Sequence, residues 1–413
     1  MKTDSLTRGW QRNLYVIWAA ELVAIAGFTV VIPFLPYYVQ ELGVTDPEQV
    51  AIWSGLVFTG HGITMAVLAP IWGSLADRYG RKLMVQRAMF GGAVVLAAMG
   101  FVRNVQQLVI LRAIQGGLTG TIPAATTLVA SSVPRRRSGY ALGLLQMAIY
   151  VGASAGPLIG GLVADAFGYR AAFWVTAALL FTAGLSVFFL VEERVEPSQQ
   201  KEDSSAEGSV PVEGFWQGLA LVLRSRALLA MFGLRLILRL GLGIMGPMLP
   251  LFVQSLMQGG ERVASVTGLI SGVGAATSAL GAVTLGRVGD RIGHRRVMVA
   301  CALSAAALHA PQFFVTTPTQ LLILRAAAGV VLGGILASVS ATLANLAPEG
   351  RQGVVYGVDT SATSVARAVA PMAGAAIAAG LGLRFIFLCA AGIFALAALG
   401  MIGLSGRTKE SKK

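Results

Sequence analysis

Long apolar runs alternate with short polar segments along the whole chain. A helix needs about 20 mainly apolar residues to cross the hydrocarbon core of a bilayer, and runs of about that length recur in two sets of six. Spans 1 to 6 fall at about 14–38, 50–72, 83–102, 106–130, 140–164 and 170–191. Spans 7 to 12 fall at about 227–256, 263–285, 297–316, 319–346, 353–380 and 382–404. The pattern predicts an all-α membrane protein with twelve transmembrane helices.

The two sets of spans repeat one another in a single register. Matched residues lie 213 or 214 positions apart, and the pairs are Asp77 and Asp290, Arg112 and Arg325, Pro33 and Pro247, and Pro157 and Pro371. Self-similarity at a fixed period indicates a duplicated unit. Duplicated membrane proteins of this kind are typically transporters, with a substrate site between the repeats near the middle of the bilayer.

The repeat and a central polar stretch predict the domain organisation. We expect an N-terminal six-helix bundle at 1–191, a cytoplasmic linker at 192–226, and a C-terminal six-helix bundle with a short basic tail at 227–413. Within the linker, residues 198–209 are rich in Ser, Glu and Gln and predict disorder. Residues 214–224 carry Trp216 and several leucines, which is typical of an amphipathic segment on the inner membrane surface.

Composition and the distribution of charge set the location. The chain is 55% apolar and 12% charged, with a mean hydropathy of +0.72, which excludes a soluble fold. Its net charge of +13 is asymmetric: the ends and loops on one side hold 23 Lys and Arg, and those on the other side hold four. Because basic residues are retained in the cytoplasm, we expect a multi-pass membrane protein with both termini cytoplasmic and no nucleic-acid partner.

Small residues recur every fourth position in span 5, at Gly152, Gly156 and Gly160. A face of small residues lets a partner helix approach closely, and spacing alone is equally compatible with a static dimer seam. The adjacent Pro157 removes a backbone hydrogen bond and permits a bend. The proline favours a functional seam.

Three motifs resemble those of the major facilitator superfamily. Gly73-Ser-Leu-Ala-Asp77-Arg78-Tyr-Gly80-Arg81-Lys82 resembles its loop signature, Arg112-x-x-Gln115-Gly116 its motif in span 4, and Gly152-x-x-x-Gly156-Pro157-x-x-Gly160-Gly161 the span 5 motif of its proton-coupled drug exporters. The likeness covers all twelve spans, and the opening of the chain is similar to multidrug-efflux members of the drug:proton antiporter family. The resemblance implies two pseudo-symmetric six-helix halves and a location in the inner (plasma) membrane.

In the superfamily the loop aspartate, here Asp77, caps the cytoplasmic start of span 11 and latches the halves in the outward-open state. A carboxylate suits the positive end of a helix. The alternative is that Asp77 and Arg81 only solvate a turn. The second copy of the loop favours the latch. The candidate gating residues are Gly73, Asp77, Arg78, Gly80, Arg81, Lys82, Asp290 and Arg291.

Charged residues within spans are costly and usually face a cavity or a partner. Glu21 is the one acid of the N-terminal half away from the helix ends. Some antiporters of the family use an acid twelve residues before the first proline of span 1, which is the spacing from Glu21 to Pro33. We predict that Glu21 is the proton or cation site, and a buried structural carboxylate is the alternative. Arg112 is predicted to act electrostatically, with a structural pairing to backbone carbonyls as its alternative.

The C-terminal half carries an excess of intramembrane bases. Arg235 and Arg239 share one face of span 7, and Asp359 and Arg367 lie in span 11. Guanidinium groups suit carboxylate and phosphate, which favours anionic or zwitterionic substrates. Neutralisation of Arg367 or Arg235 by Asp359 is the alternative.

Together these features predict a proton-driven exporter of amphipathic drugs or toxic compounds that works by alternating access. We expect small molecules, protons and the bilayer as partners, a monomer, and no cofactor beyond the proton gradient. An exporter or exchanger of small organic anions, including anionic antibiotics, is the alternative. Span 9 has no acid, which argues against a tetracycline-specific member. No catalytic or metal-ligand constellation supports an enzyme.

Overall fold

The computed structural model describes residues 2–134, 137–193, 225–258, 260–346 and 352–410. Regular structure in these ranges is helical, and the ranges contain twelve segments that are long and apolar enough to cross a membrane. The prediction of twelve spans is therefore confirmed. The predicted disordered stretch at 198–209 and the predicted amphipathic segment at 214–224 lie outside the described residues.

The helices of the N-terminal half are Lys2–Val30, Leu35–Glu41, Pro47–Tyr79, Arg81–Met99, Val105–Leu118, Thr121–Ser132, Ser138–Phe167 and Tyr169–Leu190. Those of the C-terminal half are Arg226–Met245, Met248–Met257, Val263–Ile292, His294–His309, Pro318–Leu346, Gln352–Leu381 and Phe385–Glu410, and short 3-10 turns lie at Ile32–Phe34 and Ala310–Phe314.

Spans 1, 4 and 7 each consist of two helices. The interruptions of spans 1 and 7 contain Pro33 and Pro247, which the repeat aligns and which cannot continue a helical hydrogen-bond ladder. Span 4 breaks at Thr119 and Gly120 instead. Span 10, which corresponds to span 4 in the repeat, is the continuous helix Pro318–Leu346. The break in span 4 is therefore a feature of the N-terminal half.

Local chemistry explains several helix boundaries. The side chains of Asp46 and Asn104 accept hydrogen bonds from the backbone N–H three residues later and so cap spans 2 and 4. Spans 2 and 3, and again spans 8 and 9, are joined through one glycine. Gly80 and Gly293 both have a φ of +96°, a left-handed region that favours glycine.

Each half packs around its own aromatic core. In the N-terminal half, the ring centroids of Phe34 and Phe173 are 5.5 Å apart, and both side chains are fully buried. In the C-terminal half, the rings of Phe252 and Phe387 are 4.7 Å apart and equally buried.

The halves meet through span 2 against span 11 and through span 5 against span 8. The approach is close enough to require small residues. A Cβ atom added at Gly62 would lie 2.7 Å from the carbonyl oxygen of Arg367, and one at Gly55 would lie 2.8 Å from the Cβ of Ala375. We call the end of the bundle that carries Gly80 and Gly293 the glycine end, and the opposite end, which carries the connection 41–47, the distal end.

Candidate substrate and proton site

Glu21 is completely buried in span 1. Its Oε1 accepts a hydrogen bond of 2.8 Å from the hydroxyl of Thr121 in span 4. Its Oε2 has no hydrogen-bond partner among the described atoms. A carboxylate out of water normally satisfies both oxygens, so one position on this group is free for a proton or a cation.

The break in span 4 places Thr121 at this site. Thr121 is the first residue of the second helix of the span, directly after Gly120, whose φ is +128°. Side chains of span 2 donate to carbonyl groups before the break: Thr64 to Ala113 O at 2.6 Å, and the Trp72 indole to Gly117 O, in the last turn of the first helix, at 2.5 Å. Non-helical backbone at membrane depth requires such internal partners.

Arg112 is buried in the first helix of span 4 and does not pair with Glu21 in the described contacts. Its Nη1 donates to Gln115 Oε1 at 2.6 Å, and its Cζ lies 5.6 Å from the ring centroid of Phe58. Its Nε has no partner among the described atoms. The family motif therefore forms a local pair one helical turn apart, and the proposed electrostatic role of Arg112 stays a prediction.

The structure selects Arg235 as the partner of Asp359. Arg235 Nε lies 2.8 Å from Asp359 Oδ1, and Arg235 Nη1 donates to Ser340 Oγ at 3.2 Å. Arg239 lies within electrostatic reach of this pair, and its Nε has no partner in the described part of the chain. Arg367 extends toward the other half, where its Nη1 lies 3.8 Å from the Sδ of Met65.

The repeat relates the two charged sites. Glu21 and Arg235 are 214 positions apart in the sequence. Glu21 contacts the hydroxyl of Thr121 in span 4, and Arg235 contacts the hydroxyl of Ser340 in span 10, the span that corresponds to span 4 in the repeat. Equivalent places in the two halves thus hold an acid and a base.

The glycines of span 5 pack inside the chain. A Cβ at Gly152 would lie 2.7 Å from the carbonyl oxygen of Leu22, and Cβ atoms at Gly156 and Gly160 would overlap the backbone of span 1. Gly161 faces Ala264 of span 8, so the neighbouring face joins the halves. Span 1 occupies the place that a static dimer seam would need, and the helix continues through Pro157.

The predicted gating residues at the glycine end divide into two groups. Gly73, Asp77 and Arg78 lie outside the residues whose side chains the structure describes. In the first loop, the carboxylate of Glu193 accepts hydrogen bonds from the backbone N–H groups of Arg81 and Lys82, at 2.9 and 2.8 Å. Glu193 therefore caps span 3.

In the second loop, Asp290 Oδ1 lies 3.2 Å from Nε2 of His294, one turn away in the same half. Arg291 stands in the last turn of span 8. The described contacts of this copy stay within one half, and the latch across the halves stays a prediction.

At the distal end, polar groups join the halves in a way that the sequence patterns did not indicate. The Tyr37 hydroxyl donates to Pro250 O at 2.6 Å and lies 2.7 Å from the hydroxyl of Thr267. The Asp165 carboxylate accepts from the backbone N–H groups of Ala264 and Ser265, at 3.3 and 2.7 Å. Span 5 thus caps the start of span 8 in the other half.

The side chains of Gln40 and Gln254 complete this set. We call the five residues Tyr37, Gln40, Asp165, Gln254 and Thr267 the distal seal. The one available sequence signal was the repeat, which aligns Gln40 with Gln254.

Comparison with known proteins identifies the family. The sequence pattern that defines the Major Facilitator Superfamily matches residues 17–260 and again residues 233–413. The Multidrug resistance protein MdtG of Dickeya zeae is 36% identical over 94% of this chain and 93% of its own. The Multidrug resistance protein MdtG of Salmonella arizonae is 37% identical over 95% of each chain.

Solved structures share the fold at lower identity. A bacterial homolog of the human lysosomal transporter Spinster, in an inward-facing and unoccupied conformation, aligns with a TM-score of 0.77 and 14% identity over 97% of each chain. The nucleoside transporter NupG aligns with a TM-score of 0.76 and 14% identity over 94% of this chain and 98% of its own. With these matches over nearly its whole length, the chain belongs to the Major Facilitator Superfamily of membrane transporters.

Proposed function

We propose that this protein is a proton-coupled secondary transporter that exports amphipathic drugs or toxic compounds from the cytoplasm by alternating access. The observation that carries the proposal is Glu21, a fully buried carboxyl group with one hydrogen-bonded and one free oxygen. Acids buried within membrane spans commonly serve as proton relays in transporters. The names of the MdtG relatives support multidrug transport in particular.

The charge bias of the sequence supports the orientation. The glycine end lies among the predicted cytoplasmic loops, where 23 Lys and Arg are found, so we place it in the cytoplasm. The distal seal then lies on the outer side of an inner membrane and joins the two halves there. In this arrangement the seal must open for a substrate to leave, and the contacts of spans 2 and 5 with spans 11 and 8 must adjust as the halves rock.

Proton coupling follows from the chemistry of Glu21. An anionic carboxylate attracts a cationic or polarised substrate, and a protonated carboxyl group does not. A proton and a substrate therefore compete for this side chain, or for the conformation that it stabilises. Because binding of one releases the other, the transporter exchanges protons for substrate across the membrane. The proton gradient then supplies the free energy for export.

Flux measurements in proteoliposomes test the proposal. Ethidium export by the wild type is expected to require an imposed pH gradient, and Glu21→Gln is expected to abolish this dependence. Glu41→Gln provides a matched control, because Glu41 belongs to the same span and contacts Arg170 at the exposed distal end. Gradient-driven export that survives in Glu21→Gln would overturn the assignment of the proton site.

The arginines of the C-terminal half support a second candidate, the export of small organic anions. Spans 7 and 11 carry three arginines, Arg235, Arg239 and Arg367, but the one aspartate Asp359 beside them. In the described contacts only Arg235 forms an ion pair with Asp359. Guanidinium groups without a carboxylate partner suit carboxylate or phosphate groups of a substrate. Competition by anionic compounds for ethidium export would favour this candidate.

A further inference from the structure

We propose that Thr121 is a positioning residue that orients Glu21 for proton exchange and couples the charge of Glu21 to the second helix of span 4. This inference rests on the proton-coupled function proposed above. It extends that function by assigning a role to a residue outside the family motifs and to the break in span 4.

The contact between the two side chains is short and buried. Thr121 is 3% exposed and Glu21 is 0% exposed, and 2.8 Å separates their oxygens. A threonine hydroxyl donates to a carboxylate in a charge-assisted hydrogen bond, which is stronger than a bond between neutral groups. When a proton binds at Oε2, the remaining bond at Oε1 becomes a bond between neutral groups. Protonation therefore weakens the attachment of Thr121 to Glu21.

Thr121 belongs to a separate helical segment. Thr121–Ser132 is joined to Val105–Leu118 through Thr119 and Gly120, and the φ of +128° at Gly120 is incompatible with a continuous helix. In a continuous helix Thr121 N–H would bond to Gly117 O. Here Gly117 O accepts the hydrogen bond from the Trp72 indole. Thr119 and Gly120 therefore form a joint at which the second segment can change its direction.

The second segment extends toward the glycine end. Arg81 Nη1, at the start of span 3, donates to Thr127 O of this segment at 3.3 Å. A change in the protonation of Glu21 is thus connected, through the contacts of Thr121 and Thr127, to the end of the bundle that we place in the cytoplasm. The repeat offers no equivalent path, because Gly334 occupies the position 213 residues after Thr121 and span 10 is unbroken.

Other titratable groups near span 1 have their own described surroundings. In span 5, the hydroxyl of Tyr140 lies 3.4 Å from that of Tyr15, the carboxylate of Asp165 accepts from the start of span 8, and Tyr150 is exposed. In span 6, Arg170 bonds to Glu41, and Tyr169 stacks on Phe34. The second segment of span 4 carries no titratable residue. Among the described contacts, Thr121 is therefore the group that controls the hydrogen bonding of Glu21.

Infrared spectroscopy of the purified full-length protein, titrated with acid and base, tests the inference without a substrate. The carbonyl band of protonated Glu21 is identified by its loss in Glu21→Gln. In Thr121→Val, the carboxylate loses its hydrogen-bond donor, so the pH at which half of this band has disappeared is expected to rise by about one to two pH units. Thr121→Ser, which keeps the hydroxyl, is expected to retain the midpoint of the wild type.

Thr176→Val is the matched control, because Thr176 is equally buried in the same half and its hydroxyl bonds to Ala172 O of its own helix. Thr121→Ala is measured beside Thr121→Val, so that one poorly folded variant does not decide the result. Equal midpoints in Thr121→Val, Thr121→Ala and the wild type would overturn the positioning role while leaving the proton site intact. A wild type without a titrating Glu21 band would overturn the proposed function and this inference together.

Discussion

Gln40 and Gln254, 214 positions apart in the sequence, exchange two hydrogen bonds across the boundary between the halves. Gln40 Nε2 donates to Gln254 Oε1 at 2.8 Å, and Gln254 Nε2 donates to Gln40 Oε1 at 2.9 Å. A primary amide both donates and accepts, so two copies of one residue form a self-complementary pair. The duplicated unit thereby supplies both partners of a contact that joins the halves at the distal end.

Weakening the distal seal is expected to open the distal end. Tyr37→Phe removes the hydroxyl that bonds to Pro250 O and should cost the closed state about 1 kcal/mol, which is about a fivefold change in the ratio of closed to open molecules. Spin labels at the exposed positions Gln106 and Thr319, on opposite halves, would report the distance across the distal end. A larger fraction of long distances is expected in Tyr37→Phe.

Tyr38→Phe is the control for this measurement, because the Tyr38 hydroxyl donates to Met99 O within its own half. If both tyrosine variants gave the distance distribution of the wild type, the seal would have no part in closing the distal end.

The glycine face of span 5 is expected to tolerate no added methyl group. A Cβ at Gly156 would collide with Thr29 and Ala26 of span 1, whereas a Cβ at Gly143 of the same helix would have no atom within 4 Å. Gly156→Ala should therefore destabilise the protein by about 1–3 kcal/mol. Gly143→Ala should be neutral or slightly stabilising, because alanine favours a helix.

Thermal unfolding in detergent and ethidium flux would be measured for both glycine variants. Equal unfolding temperatures would contradict close packing of spans 1 and 5 around Gly156.

The ion pair between Arg235 and Asp359 is expected to show strong coupling. Arg235→Met leaves the carboxylate, whose side chain is 8% exposed, without its partner, and such a loss typically costs about 3–5 kcal/mol. The double variant Arg235→Met/Asp359→Leu removes both charges and should be more stable than Arg235→Met alone. A double-mutant cycle of unfolding free energies in detergent measures this coupling. Strictly additive losses would mean that the pair contributes no specific interaction.

Arg239 distinguishes the two candidate substrate classes. If small organic anions bind between the halves, Arg239→Gln should weaken their competition against ethidium export at least tenfold, since a charge-assisted contact to a guanidinium group is lost. Arg384→Gln is a matched control, because Arg384 lies at the distal end and bonds to Phe313 O. Unchanged competition in Arg239→Gln would remove this arginine from the anion site.

The architecture was accessible from the sequence because it depends on length and periodicity. The apolar runs determine the number of spans, and the register of 213 to 214 residues relates Pro33 to Pro247, where spans 1 and 7 are interrupted. The partner of Asp359 was not accessible in the same way. Arg235 and Arg367 were both possible partners, and only the packing of span 7 against span 11 distinguishes them.

The break in span 4 and the distal cap of span 8 gave weaker signals. Glycine is common in transmembrane helices, so Gly120 within an apolar run did not indicate a break or bring Thr121 to Glu21, 100 positions away. Asp165 has Ala378 as its counterpart 213 residues later, so the repeat did not emphasise it. Contacts between distant segments depend on how helices are oriented in three dimensions, which hydrophobic periodicity does not specify.

The most direct test of the account is to measure proton release from detergent-purified protein when ethidium is added in a weakly buffered solution. The wild type is expected to release protons as ethidium binds, because the substrate and the proton compete for the state of Glu21. Glu21→Gln is expected to bind ethidium without releasing protons, and Glu41→Gln is expected to behave as the wild type. Undiminished proton release by Glu21→Gln would contradict the claim that Glu21 carries the exchanged proton.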